Sequence, residues 1–413
     1  AAAEAHVAYA NKSSFIDFER VQTFKRKCLK KAWSKFRLTA DKDTDYQEFC
    51  RQEAYWLDDY ALFEAAKREY KGVEWTSWPD AIKYREPKAL QTLREHLDET
   101  VGLIKFVQYL FAVQWQKLHE YAAQHGVQIM GDMPIFLAQD SADVWAHQQL
   151  FDLNPNGMPH TVAGVPPDYF SATGQLWGNP QYDWPAMKAE NYDWWKKRFQ
   201  KLFSMVDIVR IDHFRGFESF WEIDGKAKTA VNGRWVKGPG KPFFDEIRKA
   251  LGDLLIVAED LGIITDEVED LREACQFPGM KVLQFSLYLS EQGRIGAVMP
   301  ENSIVYTGTH DNNTTVGWYE QDIDDPTRAA IAGLLHVRKE RPQDIAQAMI
   351  EFAYASESRL AMIPMQDFLG LDDRARMNTP GTVGLNWKWC LKPDYRVTVD
   401  ARELQKLCQK YER

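Results

Sequence analysis

The sequence predicts an α/β barrel preceded by a helical insertion, and three observations lead to this fold class. After Gly126, short apolar runs alternate with helix-length segments, as in parallel strands joined by crossover helices. Before Gly126 the apolar residues recur with helical spacing. Among the 413 residues, 45% are hydrophobic and 13% aromatic, a composition that supports a large core and excludes a disordered chain.

The helical region extends from Phe15 to about Gly126. Residues 52–71 place Trp56, Tyr60 and Phe63 at spacings of one helical turn, and Gly72 is a typical stop signal. Residues 87–124 carry a longer apolar stripe. We therefore expect a mainly helical insertion subdomain over residues 1–125 and a barrel portion over residues 126–413.

The barrel portion contains six candidate strands, and the residues that follow them are more informative than the strands. The strands are predicted at 127–130, 208–211, 254–258, 281–285, 304–307 and 360–364. Carboxylates follow five of the six, namely Asp132, Asp212, Glu259, Asp311 and Asp367. Because the carboxyl ends of barrel strands converge on one face, this pattern predicts an acidic site there. Asp140, Asp260 and Asp367 are interpreted individually as turn or capping residues.

Composition excludes several classes of partner and site. With 51 Lys and Arg against 60 Asp and Glu, the net charge is −9, which disfavours nucleic acid and anionic membrane surfaces. No apolar run approaches the ~18 residues that span a bilayer. The five cysteines lack the spacing of a disulfide framework or zinc site, and no phosphate loop or metal motif is present. We expect a reducing compartment and neither cofactor nor metal.

Asp212 and Glu259 could form a pair of carboxylates on neighbouring strands. Such a pair breaks a glycosidic bond with retention when one group attacks the anomeric carbon and the other protonates the leaving oxygen. Arg210 lies two residues before Asp212, on the same side of a strand, and favours its ionised form. The apolar residues before Glu259 should raise its pKa. His310 and Asp311 could bind sugar hydroxyls, and Trp177, Trp387 and Trp389 could present rings to a ligand.

The sequence resembles the amylomaltases, which are the 4-α-glucanotransferases of glycoside hydrolase family 77. The matching blocks run in order from about residue 50 to 390 and include VRIDHFRGF (209–217), AEDLG (258–262), PGMKVLQF (278–285), YTGTHDN (306–312), GDMPIF (131–136), VAGVPPDYF (162–170), QLWGNP (175–180), ARMN (375–378) and GLNW (384–387).

The resemblance implies a (β/α)8 TIM barrel with helical insertion subdomains and assigns roles to particular residues. Asp212 is similar to the family's nucleophile, Glu259 to its acid/base and Asp311 to its transition-state stabiliser. The residues that it implies in substrate binding are Asp132, Asp168, Tyr169, Phe170, Trp177, Asn179, Arg210, His213, His310 and Asn386. Of these, Asp168, Tyr169 and Phe170 are expected on a lid loop at about 163–180 that excludes water.

The implied activity is transfer of an α-1,4-glucan segment to the 4-hydroxyl of maltooligosaccharides or starch-like glucans. An amylase-type hydrolase and a catalytically silent glucan-binding protein are the alternatives. The family's first two strands have no counterpart before Phe15, so we expect a missing N-terminal segment or an incomplete barrel. Bacterial cytosol and plastid stroma both suit the composition.

Overall fold

The computed structural model describes residues 14–167, 171–289, 295–296, 298–338, 341–392 and 401–413. The chain divides into two compact units, one of residues 25–277 and one of the residues up to 24 together with those from 278 onwards. Within the described ranges, none of the helices combines the length and the apolar character needed to cross a membrane.

The first unit begins with helices, as the sequence predicts. They are α1 (Phe18–Phe36, which starts before the unit), α2 (Thr44–Gln52), α3 (Ala54–Glu69), α4 (Asp80–Lys83), α5 (Pro87–His96) and α6 (Asp98–Gln124). The side chain of Asp43 caps α2 by accepting from the Tyr46 amide. Gly102 on α6 lets the ring of Trp33 approach closely, since a Cβ there would lie 2.5 Å from that ring.

The two sequence-predicted helical stretches are confirmed, with one break. Of the stretch 52–71, residues 54–69 form α3, because Gln52 still belongs to α2 and Glu53 separates the two helices, and the backbone turns out of the helix at Tyr70 before Gly72. The stretch 87–124 forms two helices rather than one, because Leu97, at φ −103° and ψ 14°, leaves the helical region between α5 and α6. Leu97 itself is buried, so packing compensates for the interruption.

The rest of the first unit alternates strands and helices. The elements are β1 (Met130–Pro134), α7 (Ala142–Ala146), β2 (Thr161–Val165), β3 (Gln175–Pro180), α8 (Trp184–Ala189), α9 (Asp193–Phe203), β4 (Ile208–Asp212), β5 (Ser219–Asp224), β6 (Gly233–Lys237), α10 (Gly240–Leu251), β7 (Ile256–Ala258) and α11 (Asp266–Ala274). β1, β4 and β7 form a parallel sheet in that order. Buried aromatic rings fill the adjoining core, including Trp195, Phe199 and Phe243.

A four-stranded antiparallel sheet was not predicted. Its order is β3-β2-β5-β6, and it lies in the sequence between β1 and β7. The predicted lid loop at 163–180 therefore contains two paired strands, with Val165 opposite Gln175. Asp168, Tyr169 and Phe170 lie outside the described residues. The boundary near residue 126 between a helical subdomain and a barrel portion stays a prediction.

The second unit contains β8 (Gly279–Val282), α12 (Leu283–Ser286), β9 (Tyr288–Leu289), β10 (Ile295–Gly296), β11 (Ser303–Tyr306), α13 (Thr315–Gly317), α14 (Asp325–Leu334), α15 (Pro342–Ala355), β12 (Leu360–Met362), α16 (Met365–Phe368) and α17 (Ala401–Tyr411). β11 lies between β8 and β12 in a parallel sheet. Its core includes Val305 from β11 with Ile345 and Met349 from α15.

Each of the six predicted parallel strands has a counterpart, but several limits were wrong. The first strand begins at Met130 instead of residue 127, and Val127 is 55% exposed. The third begins at Ile256, after an exposed Leu255. The fourth ends at Val282, and Phe285 lies in α12. Apolar character alone cannot separate a buried strand from the exposed residues beside it.

Candidate active site

Strand β4 presents a polar face and an apolar face. Val209 and Ile211 are fully buried, whereas Arg210 and Asp212 alternate with them and keep partial exposure. Successive side chains of a strand point to opposite faces, so the guanidinium and the carboxylate share one face. This confirms the sequence prediction that Arg210 and Asp212 lie side by side.

Arg210 links two carboxylates. Its Nη1 lies 2.8 Å from Oδ1 of Asp212 and 3.2 Å from both carboxylate oxygens of Asp132, and its Nη2 lies 2.9 Å from the same Oδ1 of Asp212. The register of β1 against β4 pairs Asp132 with Arg210. Both carboxylates are about half exposed, whereas the arginine side chain is 12% exposed. A largely buried cation thus orients two accessible acids.

Glu259 follows β7 directly, beside the end of β4. Ile211 pairs with Ala258, and the Glu259 amide donates to the Ile211 carbonyl at 3.0 Å. The Glu259 carboxylate accepts from the amides of His213 at 2.7 Å and Leu261 at 2.8 Å. The two acids therefore belong to adjacent strand ends, as the sequence predicts.

The surroundings of Glu259 favour its protonated form. Burial of the carboxyl group and then the negative charge of Asp212 raise its pKa from 4.5 to about 7, against the opposing effect of the two backbone amides and Arg210. A carboxyl group with such a pKa retains a proton near neutral pH and can donate it. The predicted direction of this pKa shift is confirmed.

His213 adopts a left-handed backbone conformation, with φ +52°. This turn points its amide at Glu259 and leaves its ring against two aromatic side chains, Trp177 at 4.9 Å in an edge-on arrangement and Phe136 at 6.3 Å. Burial and the nearby Arg215 lower the pKa of His213 to about 3. The imidazole is therefore neutral at physiological pH, when it can donate one hydrogen bond and accept another.

Two further predicted binding residues lie on β3. Trp177 is 38% exposed, and its Nε1 donates to Oε1 of Gln175 at 3.2 Å. Asn179, two residues later on the same strand, is half-buried. Gly178 between them has φ +78°, and the pairing of β2 with β3 shifts register over this stretch, so regular strand alternation does not assign Trp177 and Asn179 to one face.

Asp132 also borders a cavity of about 380 Å³ in the first unit. Tyr60, Trp194 and Arg198 contribute to its other walls. The carboxylate of Asp132 is therefore accessible from this cavity. Across the described ranges, no group of three or more His, Cys, Asp or Glu side chains is arranged to hold a metal ion.

In the second unit, His310 and Asp311 lie on the segment after β11. Their side chains approach each other, with Nε2 of His310 3.4 Å from Oδ2 of Asp311. Nδ2 of Asn378 donates to Oδ1 of Asp311 at 2.6 Å, and the Arg376 guanidinium donates to the Asp311 carbonyl at 2.8 Å. The ring of Trp387 lies 5.0 Å from that of His310. Asn378 and Arg376 were missed as candidates, although they belong to the ARMN block.

Asn386 organises the loop that precedes Trp387. Its side-chain oxygen accepts from the Thr379 amide at 3.1 Å, and its side-chain nitrogen donates to the carbonyls of Thr379 and Thr382. Its predicted contact with substrate stays a prediction. Of the tryptophans proposed as ligand platforms, Trp387 is half exposed, whereas Trp389 forms a backbone bridge with Phe15.

Comparison with known proteins identifies the class to which this fold belongs. The chain superposes on an amylomaltase from Streptococcus agalactiae in complex with acarbose with a TM-score of 0.90 and 36% identity, over 97% of this chain and 80% of that one. The fold is thus the TIM barrel of amylomaltases. The profile of glycoside hydrolase family 77, described as 4-alpha-glucanotransferase, matches residues 1–396.

Two curated relatives are also 4-alpha-glucanotransferases. The 4-alpha-glucanotransferase of Streptococcus pneumoniae is 44% identical over 94% of this chain and 77% of its own length. The chloroplastic/amyloplastic 4-alpha-glucanotransferase of Arabidopsis thaliana is 46% identical over 81% of this chain and 58% of its own length. The chain belongs to glycoside hydrolase family 77, the 4-α-glucanotransferases.

Proposed function

We propose that this 4-α-glucanotransferase transfers α-1,4-glucan segments to the 4-hydroxyl of an acceptor glucan by a retaining double displacement, with Asp212 as nucleophile and Glu259 as acid/base. The observation that carries this proposal is the pairing at adjacent strand ends of an arginine-held Asp212 with a Glu259 whose pKa is about 7. One acid is arranged to carry negative charge and the other to carry a proton, as the mechanism requires.

The first step breaks the glycosidic bond. Asp212 attacks the anomeric carbon of the donor glucan while Glu259 gives its proton to the leaving oxygen, so the bond between that carbon and the oxygen breaks and the departing glucan gains a 4-hydroxyl. A glucosyl ester on Asp212 remains, and Glu259 is then ionised. In the second step, Glu259 takes the proton of an acceptor 4-hydroxyl, whose oxygen displaces Asp212 and restores both carboxyl groups.

We assign supporting roles to the remaining candidates. Arg210 holds Asp212 in position, and Asp132, which shares this guanidinium, binds a substrate hydroxyl. Asp311 stabilises the positive charge that develops at the sugar ring, and His310 binds sugar hydroxyls beside it. His213 offers a neutral donor to substrate.

The remaining binding assignments follow from the family resemblance and, where described, from exposure. Trp177 and Asn179 on β3 and Asn386 near Trp387 bind the glucan. Asp168, Tyr169 and Phe170 contribute from the segment between β2 and β3. Water exclusion by this segment favours attack by a sugar hydroxyl over hydrolysis.

The location follows from the relatives. Bacterial cytosol or plastid stroma is the proposed compartment, since the Arabidopsis thaliana relative is a chloroplastic/amyloplastic protein. The partners are maltooligosaccharides or starch-like glucans.

Product analysis on maltotriose tests the function. Longer oligomers together with glucose indicate transfer, whereas only shorter sugars would show a hydrolase and overturn the proposal. Asp212→Asn should make no products while still binding maltooligosaccharide in calorimetry. Asp253→Asn, at a site whose side chain is 93% exposed, is the matched control and should behave as the native enzyme.

A further inference from the structure

Asp367 is a buried carboxylate that the mechanism above does not use. The sequence predicts a turn or capping residue at this position, but Asp367 is only 3% exposed and its carboxylate accepts three hydrogen bonds. They come from the Thr307 hydroxyl at 2.5 Å, the Thr315 amide at 2.8 Å and the Thr315 hydroxyl at 2.8 Å. The carboxylate of Asp367 therefore accepts hydrogen bonds from two separate points of the chain, Thr307 and Thr315.

These two points are the ends of the segment that carries His310 and Asp311. Thr307 directly follows β11, and Thr315 is the first residue of α13. We call residues 307–315 the Asp311 segment. Since the backbone enters at Thr307 and leaves at Thr315, the carboxylate of Asp367 fixes the distance between its ends.

The interior of the Asp311 segment is also held by directed bonds. Oδ1 of Asn312 accepts from both the amide and the hydroxyl of Thr309, at 2.9 and 2.8 Å. The Asp311 amide donates to the Thr309 hydroxyl at 3.3 Å. Gln284 supports the segment from α12 by donating to the Asn313 carbonyl at 2.9 Å.

The space around the segment leaves little room for it to shift. A Cβ at Gly308 would lie 2.8 Å from Nε2 of Gln284, so the backbone there fits tightly against that side chain. From the other side, Asn378 donates to the carboxylate of Asp311. A displacement of either end of the segment would be transmitted to Asp311.

We propose that Asp367 is a positioning residue for Asp311. Its carboxylate acts through hydrogen bonds to Thr307 and Thr315, which are the two ends of the Asp311 segment. The proposal rests on the function proposed above for Asp311. Asp367 itself makes no contact with substrate and acts through Asp311. A displacement of about 1 Å in a reacting group can lower turnover by about a hundredfold, so the placement of both segment ends bears on the rate.

Thr307→Val tests the proposal, because it removes one hydrogen bond to Asp367 and nearly conserves the side-chain volume. We expect kcat for disproportionation of maltotriose to fall about tenfold with KM changed less than twofold. Thr307→Ser keeps the hydroxyl and should restore most of kcat. Amide hydrogen exchange of a peptide covering residues 307–315 should be faster in Thr307→Val and close to native in Thr307→Ser.

Ser303→Ala is the matched control. Ser303 lies at the opposite end of β11, is 1% exposed and shares a 2.8 Å hydrogen bond with the hydroxyl of Ser358. This variant loses two buried hydrogen bonds from β11, since the Ser303 hydroxyl also donates to the Pro300 carbonyl at 2.6 Å, so it should lower thermal stability at least as much as Thr307→Val. Its kcat and its exchange in residues 307–315 should remain native if the effect of Thr307 is positional.

The two readouts separate the inference from the proposed function. Native exchange in Thr307→Val would overturn the inference, as would faster exchange with native kcat, or an equal loss of kcat in Ser303→Ala. If the native enzyme gave only hydrolysis, the proposed function would fail. In that case, faster amide hydrogen exchange of residues 307–315 in Thr307→Val alone would still show that the hydrogen bond to Asp367 holds the segment.

Discussion

The amide of His213 donates to Oε2 of Glu259, while the amide of Leu261 donates to Oε1. Each carboxylate oxygen of Glu259 is thus fixed by a backbone group, and the plane of the carboxyl group is defined by main-chain donors. A protonated carboxyl group can still accept such bonds. The arrangement orients the acid in both of its ionisation states.

The raised pKa of Glu259 predicts the pH dependence of activity. The acid must carry its proton in the first step, so kcat/KM for maltotriose should fall as the pH rises through about 7. Above that pH the fall should approach tenfold per pH unit. Initial rates at substrate concentrations far below KM, measured from pH 5 to 9, check this, and a rate that stays constant to pH 9 would contradict the assignment.

The same pKa predicts an effect on stability. Glu259 has a pKa of about 7 in the folded state against 4.5 as the ordinary value, so folding favours its protonated form and this contribution is lost as the pH rises from about 4.5 to 7. The Glu259→Gln variant is neutral at this position throughout. Its free energy of unfolding, relative to native, should therefore increase by roughly 2 to 3 kcal/mol between pH 5 and 8.

Denaturant unfolding at several pH values measures that difference. The loss of an acceptor oxygen in the Glu259→Gln variant contributes a constant offset, so only the change with pH is diagnostic. A difference between variant and native enzyme that is the same at pH 5 and pH 8 would show that Glu259 ionises normally in the folded state.

Arg210→Lys should lower turnover strongly while the protein remains folded. The guanidinium contacts Asp132 and Asp212 together, and a single ammonium cannot reproduce this planar geometry. We expect kcat to fall on the order of a hundredfold. Arg234→Lys, whose side chain is 76% exposed beside Glu222, is the control and should change kcat less than twofold; equal effects of the two changes would refute the geometric argument.

Trp177→Ala should weaken substrate binding more than it lowers turnover. The exposed part of the ring is free to pack on a sugar, while its edge is oriented by His213, and we assign to the ring–sugar contact about 1 kcal/mol, as for an aromatic pair. KM for maltooligosaccharides should rise about fivefold. Leu176→Ala, at the neighbouring position with similar exposure, tests whether any apolar residue of β3 has the same effect, in which case Trp177 has no specific role.

Strand ends were predictable because their signal is local. The apolar residues around Asp212 and Glu259 predict buried strands, and the position after each strand fixes the face where the acid lies. The antiparallel sheet had no comparable signal. β5 and β6 contain Trp and charged residues in place of a continuous apolar run, and Thr161 pairs with the distant Asp224.

Contacts between distant segments were the other feature that the sequence did not reveal. Asn378 reaches Asp311 from 67 positions away, and Asp367 reaches Thr307 from 60 positions away. The left-handed turn at His213 was equally hidden, because residues other than glycine adopt this conformation infrequently. These contacts depend on the order of the strands in the folded protein, and no periodicity in the sequence indicates them.

The hairpin of β2 and β3 has a practical consequence for engineering. Val165 and Gln175 are paired neighbours. The stretch between them therefore begins and ends at adjacent positions of the antiparallel sheet. A swapped stretch of different length would need only to span that short gap. Grafting there would test the proposed role of this stretch in glucan binding without altering the acids that follow β4 and β7.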